Sequence, residues 1–486
     1  MSRYKKQYIR KRKNTKHTRK TTHKKKTTHK KNTKSTRDLK YSQEVESRLL
    51  SASNNIKLYK NDQGTRLLLM PNKNDSSTAS IYFYFKVGSK YEPIELNGIS
   101  HFIEHLVYKG SRKLKSYMQI TKPLDAAGIS FNAYTSKTIT AYYYKFLSSK
   151  ENMDLICKIT SDVIFHSLMR QSDIDVEREV VIQEYNDDLD DIDEFIDEEL
   201  EKVIFGKHPL AYSIIGDLKS LHNIKRSNIL EYYKKFYTPD NLLIGISGNI
   251  NPEYINILNK YLGEFKEADI NSQGVTTLIP FSDPVSEDKY VVKCYPKSLK
   301  QDYIHIVFKT KGYFDTINNN KYKLISNILG GNMSSRFFIE IREKLGLVYS
   351  IKCGLNNYEE VGFFDIYMQN ESKDTIKCID TVLKELNKFK KDGVKPNELK
   401  ENIKNYCDTF LTGFDDIDNE NEYYSKQVLF NKPIETIKDR IESIRNITSE
   451  ELKVTSCELF DYNKMIIVCF GKSNKNAIEN VIKKYI

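Results

Sequence analysis

GISFNAYTSKTITAYYYKF, residues 128–146, reads as a pair of strands opened by Gly128, and GLVYSIKCGLNNYEEVGFFDIYMQ, from Gly346, reads the same way. Their surroundings agree as well. Each pair follows a strand, ending at Lys86 or Lys309, and then helices; each precedes a helix from about Lys150 or Lys373 and a late strand reaching Gly248 or Gly471. The intervals are 42 and 120 residues in one half and 37 and 125 in the other. A further helix closes each half. Matching order and spacing predict a diverged internal repeat.

The class that follows is mixed α/β (α+β). KLYK, TRLLLMP and SIYFYFKVG read as strands near the start of the first half, and Gly98 to Tyr108 as a helix. Residues 267–290 lose periodicity and gather Gly, Pro and Ser, the composition of a linker. The expected organisation is a tail at 1–45, an N-terminal domain at 46–266, the linker at 267–290 and a C-terminal domain at 291–486. With 486 residues, each domain is large enough to bury its own core.

The net charge of +12 divides unevenly. Residues 1–40 hold 18 Lys or Arg against the single acid Asp38, a charge of +17, which leaves −5 for the other 446 residues. So basic and apolar-poor a tail is expected to be disordered. Its chemistry suits a polyanion such as nucleic acid, a nuclear address or simple solubilisation. The body is mildly acidic and has no aromatic-interleaved basic motif, which makes a nucleic-acid role secondary. No stretch of about 18 apolar residues predicts a membrane span. The tail has no apolar run like that of a secretory signal, so the protein is not expected to be secreted. Seven cysteines without a CxxC pair fit a reducing compartment, cytoplasmic or another intracellular one, with mitochondrial or nuclear targeting left open.

The chemistry concentrates in GISHFIEHLVYKGS, residues 98–111, where His101, Glu104 and His105 form H-x-x-E-H. At about 100° per residue, Ile99, Phe102, Ile103, Leu106 and Val107 fall on one helix face and the three polar residues on the other. Histidines at i and i+4 project together, a geometry in which two imidazoles hold one zinc ion. A third ligand should come from another element. In EREVVIQEYNDD, Glu177 and Glu184 lie seven residues apart on one helix face, and either is placed to supply it. The bland reading is an ordinary polar face; the acidic run from Asp187 to Glu201 in particular reads as a solvated helix face, and His166, His208, His222 and His305 as structural.

These residues resemble the pitrilysin family of inverted-zincin peptidases, which includes the mitochondrial processing peptidases. HFIEHLVYKGS is similar to the family's HFLEH segment, GISFNAYTS to its substrate strand, EREVVIQE to its third-ligand helix and SSRFFIEIREKLGLVYS to its arginine and tyrosine segment, so the resemblance covers about residues 55–486. It implies two related domains, each a mixed, mostly antiparallel sheet covered by helices. It implies one zinc ion per chain held by His101, His105 and Glu184, with Glu104 as general base and Glu177 as the second acid beside them. Asn132 and Ala133 fall on the strand that takes peptide substrates. Arg342 and Tyr349 match the pair that, in the family, faces a zinc in the other half of a two-unit chamber, which implies a homodimer or a heterodimer with a related chain. The activity implied is a zinc-dependent endopeptidase for short or unfolded peptides; the alternative within the fold is a non-catalytic structural or substrate-capturing subunit.

Overall fold

The computed structural model describes residues 55–71, 76–269 and 289–486. The tail and residues 270–288 of the expected linker lie outside them.

Two sheets carry the molecule. The first contains β1 (Lys57–Asn61), β2 (Arg66–Pro71), β3 (Thr78–Phe85), β4 (Ser130–Thr135), β5 (Thr140–Leu147), β6 (Leu242–Gly248) and β7 (Phe265–Ala268) in the order β4-β5-β3-β6-β2-β1-β7. The second contains β8 (Val291–Pro296), β9 (Asp302–Lys311), β10 (Val348–Asn357), β11 (Val361–Asn370) and β12 (Ile466–Gly471) in the order β10-β11-β9-β12-β8. Setting β4 against β10, β5 against β11, β3 against β9, β6 against β12 and β2 against β8 makes the two orders identical. In each sheet one pair is parallel, β2 with β6 and β8 with β12, and the remaining pairs are antiparallel. The repeat read from spacing is thus a repeat of topology. Gly128 and Gly346, which open the two strand pairs, share a left-handed backbone, with φ of 66° and 60°. β7 extends the first sheet past β1 to Ala268.

The halves are tied together by an exchange of helices that local sequence did not announce. The helix Ile192–Phe205 belongs to the first half by position in the chain, yet its Ile196, Leu200, Ile204 and Phe205 are buried against Val307, Phe363, Val468 and Phe470 of the second sheet. The acidic run is therefore only partly a solvated face: its apolar stripe, spaced at i and i+4, is a core surface. In return the helix Ile417–Leu429 lies across β6, β3 and β2. Contact is close enough that a Cβ added at Gly245 would meet Ser425 Oγ at 2.3 Å. Asn421 Nδ2 donates to the Gly245 carbonyl at 2.9 Å, and Ser247 Oγ to that of Ile417 at 2.8 Å.

A buried ionic cluster adds to this. The turn between β10 and β11 carries Glu359 and Glu360 into the first half, where Lys86 Nζ meets Glu359 at 2.6 Å and Lys90 Nζ meets Glu359 at 3.3 Å and also Glu360. Lys90 is 1% exposed at its side chain, so its charge depends on those two carboxylates. Beside it Lys137 Nζ and Tyr358 Oη both reach Glu201, at 2.7 and 2.9 Å.

Candidate metal centre

The helix Ile99–Val107 has the two faces that its spacing predicts. Ile99, Phe102, Ile103, Leu106 and Val107 are buried in the first core, and His101, Glu104 and His105 are half-buried opposite them. Its start is fixed from outside the helix. Gly98, at φ 97°, lies where a Cβ would come within 2.3 Å of the Ile215 carbonyl, so only glycine fits. The buried Glu92 carboxylate accepts the Gly98 N–H and Asn97 Nδ2 at 2.7 Å on one oxygen and the Ser100 N–H at 2.8 Å on the other. That places an acid at the positive end of the helix.

The helix Gln171–Asp190 supplies the third donor. Glu184 Oε2 lies 3.8 Å from His101 Nε2 and 3.6 Å from His105 Nε2. Those separations are too long for hydrogen bonds. They match three ligands around one ion, since tetrahedral bonds of roughly 2.0–2.1 Å set ligand atoms about 3.4 Å apart. Among the described residues this is the one group of three His, Cys, Asp or Glu donors so converged, all within 4.8 Å of one another. Two imidazole nitrogens and a carboxylate oxygen form a donor set suited to catalytic zinc. Of the two acids that spacing left in play, Glu184 faces both histidines through Nε2.

Glu177 sits behind. Its Oε2 lies 3.3 Å from His105 Nδ1, and its Oε1 takes Lys109 Nζ at 2.5 Å. Engaging Nδ1 orients the ring and leaves Nε2 toward Glu184, the usual support of a ligating histidine. Burial would lower the His105 pKa, but the Glu177 bond and the charges of Glu104 and Glu184 outweigh it and hold it above the ordinary value. Burial also opposes the charge on Glu177, yet the bonds to His105 and Lys109 prevail and keep its carboxyl below the usual range.

Glu104 is held differently: Thr135 Oγ1 donates to its Oε2 at 2.7 Å. Thr135 ends β4, which among the described residues pairs with β5 alone and forms the edge of its sheet. Asn132, exposed, and Ala133, half-buried, lie on the same strand. Arg342 and Tyr349 lie in the second half with exposed side chains. Arg342 belongs to a π-helix, Phe338–Lys344, its guanidinium 4.7 Å from the Phe338 ring centre. Tyr349, 70% exposed, stands at the register shift between Val348 and Ser350 on β10, the edge strand equivalent to β4. Thr135, Lys109 and Glu92 were not singled out by sequence; Lys109, four residues after His105, had a helical spacing that could have suggested it. The helix after β9, Thr316–Gly330, carries no His, Asp or Glu, so the repeat does not duplicate the metal cluster there.

Comparison with known proteins agrees. Residues 67–218 match the family described as Insulinase (Peptidase family M16), and residues 223–406 match the Peptidase M16 inactive domain. The uncharacterized zinc protease YmxG of Bacillus subtilis is 28% identical over 416 residues, 85% of this chain and 98% of that protein. An uncharacterized zinc protease of Rickettsia bellii is 31% identical over 325 residues, 66% of this chain and 75% of its own length. The periplasmic protease PqqL of Escherichia coli shares the fold, with a TM-score of 0.76 at 15% identity over 88% of this chain and 50% of PqqL. The chain belongs to the M16, or pitrilysin, family of peptidases. No helix among its described residues is long and apolar enough to cross a membrane.

Proposed function

We propose that the protein is a zinc-dependent endopeptidase acting on short or unfolded peptides. The observation that carries this reading is the convergence of His101, His105 and Glu184 beside a carboxylate, Glu104, that is hydrogen-bonded to the end of an open sheet edge. One zinc ion bound by the three donors would supply Lewis acidity and bring the pKa of a water toward about 7. Glu104 takes the proton of the attacking water and returns it to the leaving amine. Glu177 keeps the His105 ring turned. The unpaired edge of β4 offers main-chain groups to an extended peptide at Asn132 and Ala133, so affinity comes largely from the backbone and side-chain selectivity is broad.

Arg342 and Tyr349 complete the site of a second unit, donating to the oxyanion or the substrate backbone. The exposure of Tyr349 on β10, the edge strand equivalent to β4, and of Arg342 in the π-helix before it, together with the likeness of this chain to half of PqqL, support a two-unit assembly.

Cleavage of a quenched fluorescent peptide library, with and without a chelator, beside Glu104→Gln and with zinc measured on the same samples, tests the reading. Chelator-sensitive turnover lost in the variant, at about one zinc per chain, is expected; a chain that takes up no zinc refutes it. Mixing Glu104→Gln with Tyr349→Phe chains should restore part of the activity, and no recovery at any ratio would count against a shared site.

A further inference from the structure

Away from the metal cluster, the fold sets one pair of nucleophilic side chains against each other. β8 runs parallel to β12, and the register places Cys294 directly opposite Cys469. Alternation along the strands turns both sulfurs to one side: Val292, Ile467 and Cys469 are buried in the second core with Cys294 packed against it, whereas Val291, Tyr295, Val468 and Phe470 face the helix Ile192–Phe205. Neighbouring strands are about 4.7–4.9 Å apart, and disulfide-bonded residues have Cα atoms roughly 4.4–6.8 Å apart. Opposed cysteines on adjacent strands therefore meet the distance requirement without backbone movement.

The two thiols are unequal. Cys469 is 1% exposed on an inner strand, while Cys294 is half-buried on the edge strand, where solvent reaches it. The hydrogen bond from Cys469 and the charge of Lys475 hold the Cys294 thiol below its ordinary range against the opposing effect of burial. The same bond and burial push Cys469 up. A more accessible thiol with a lowered pKa next to a buried one is the arrangement of a nucleophile with a resolving partner.

We propose that Cys294 and Cys469 form a peroxide-responsive dithiol, closing a reversible disulfide between β8 and β12. The Cys294 thiolate attacks one oxygen of hydrogen peroxide and breaks the O–O bond. The other oxygen leaves as water after taking a proton, and Cys294 becomes a sulfenic acid. The Cys469 sulfur then attacks the Cys294 sulfur, the S–S bond forms, and the hydroxyl leaves with the Cys469 proton as a second water. The thiols lose two electrons and peroxide gains them. The oxidised pair fastens the edge strand β8 covalently to its neighbour β12, and a thiol reductant reverses it.

The test is peroxide titration of the fully reduced full-length chain, followed by alkylation and peptide mapping of all seven cysteines. The expected product is a Cys294–Cys469 disulfide, a loss of about 2 Da, formed before the exposed Cys457 is oxidised. Cys469→Ala should stop at a sulfenic acid on Cys294 that dimedone captures, and Cys294→Ala should leave Cys469 unlabelled. Mapping of the wild-type chain decides the matter even where a variant does not fold. Oxidation that begins at Cys457, or that consumes Cys294 without linking it to Cys469, overturns the proposal.

Discussion

Replacing Thr135 by valine keeps the size and β-branching that suit the end of a strand and removes only the hydroxyl that donates to Glu104 Oε2 at 2.7 Å. A hydrogen bond to a charged group contributes roughly 1.5–3 kcal/mol. At about 1.4 kcal/mol per tenfold in rate, its loss should lower kcat by roughly 10- to 100-fold. Thr135 is half-buried, so solvent replaces part of the bond and the lower end of that range is expected. KM should stay within about twofold, because in the proposed function the backbone of β4, and not this hydroxyl, holds the substrate. Zinc content should not change, since Thr135 lies against the base and not against Glu184. Serine at the same position should recover most of the rate. Steady-state kinetics on a fluorogenic peptide, with zinc measured on each preparation, provides the assay. An unchanged kcat in the valine variant would falsify the claim that this bond orients the base; loss of zinc together with activity would show that Thr135 acts on the metal site instead.

Glu177→Gln, which weakens the support of His105 and leaves Lys109 without its counterion, should reduce zinc affinity by roughly 10- to 100-fold in competition with a chelator; equal affinity would mean that the ring is held by other contacts. Lys90→Met strands Glu360 in a buried site, while Lys86 and Tyr91 remain on Glu359, and should cost about 3–5 kcal/mol in urea unfolding, partly recovered by adding Glu360→Gln. A loss under about 1 kcal/mol would show that the cluster is not a fastening. Burial pushes the Glu420 carboxyl up to about 7. The folded state then keeps a proton that the unfolded chain releases near its ordinary pKa of about 4.3, so stability falls as pH rises between those values. Glu420→Gln should abolish that fall, adding at most about 4 kcal/mol at pH 8 and little at pH 4 in urea titrations; parallel curves for the two proteins would refute it.

What could be read from the sequence was what is local. Ile99, Phe102, Ile103, Leu106 and Val107 announce a buried face because helix periodicity is a property of nine consecutive residues, and His101 with His105 announce paired donors on the opposite face for the same reason. The repeat was visible because strand order and spacing survive divergence. The remaining features join distant residues. Thr135 meets Glu104 only after β4 is laid beside the helix, and Glu92 reaches across a turn to the helix start. The helix Ile192–Phe205 is the instructive case. Its stripe of Ile196, Leu200 and Ile204 was present, but ten acids between Asp187 and Glu201 outweighed it, and no local pattern states which sheet a stripe will cover.

The exchange of helices constrains how such a chain can change. Ile196 and Leu200 are encoded in the first half but fitted to Val468 and Phe470 in the second, while Asn421 and Ser425 are encoded in the second and fitted to Gly245 in the first. Recombination that transplants one half from a relative imports a helix matched to the wrong sheet and leaves behind one matched to a sheet that has gone. The two halves are thus bound as a single unit of inheritance, and a chimera should tolerate a crossover only where both exchanged helices travel with the sheets they cover.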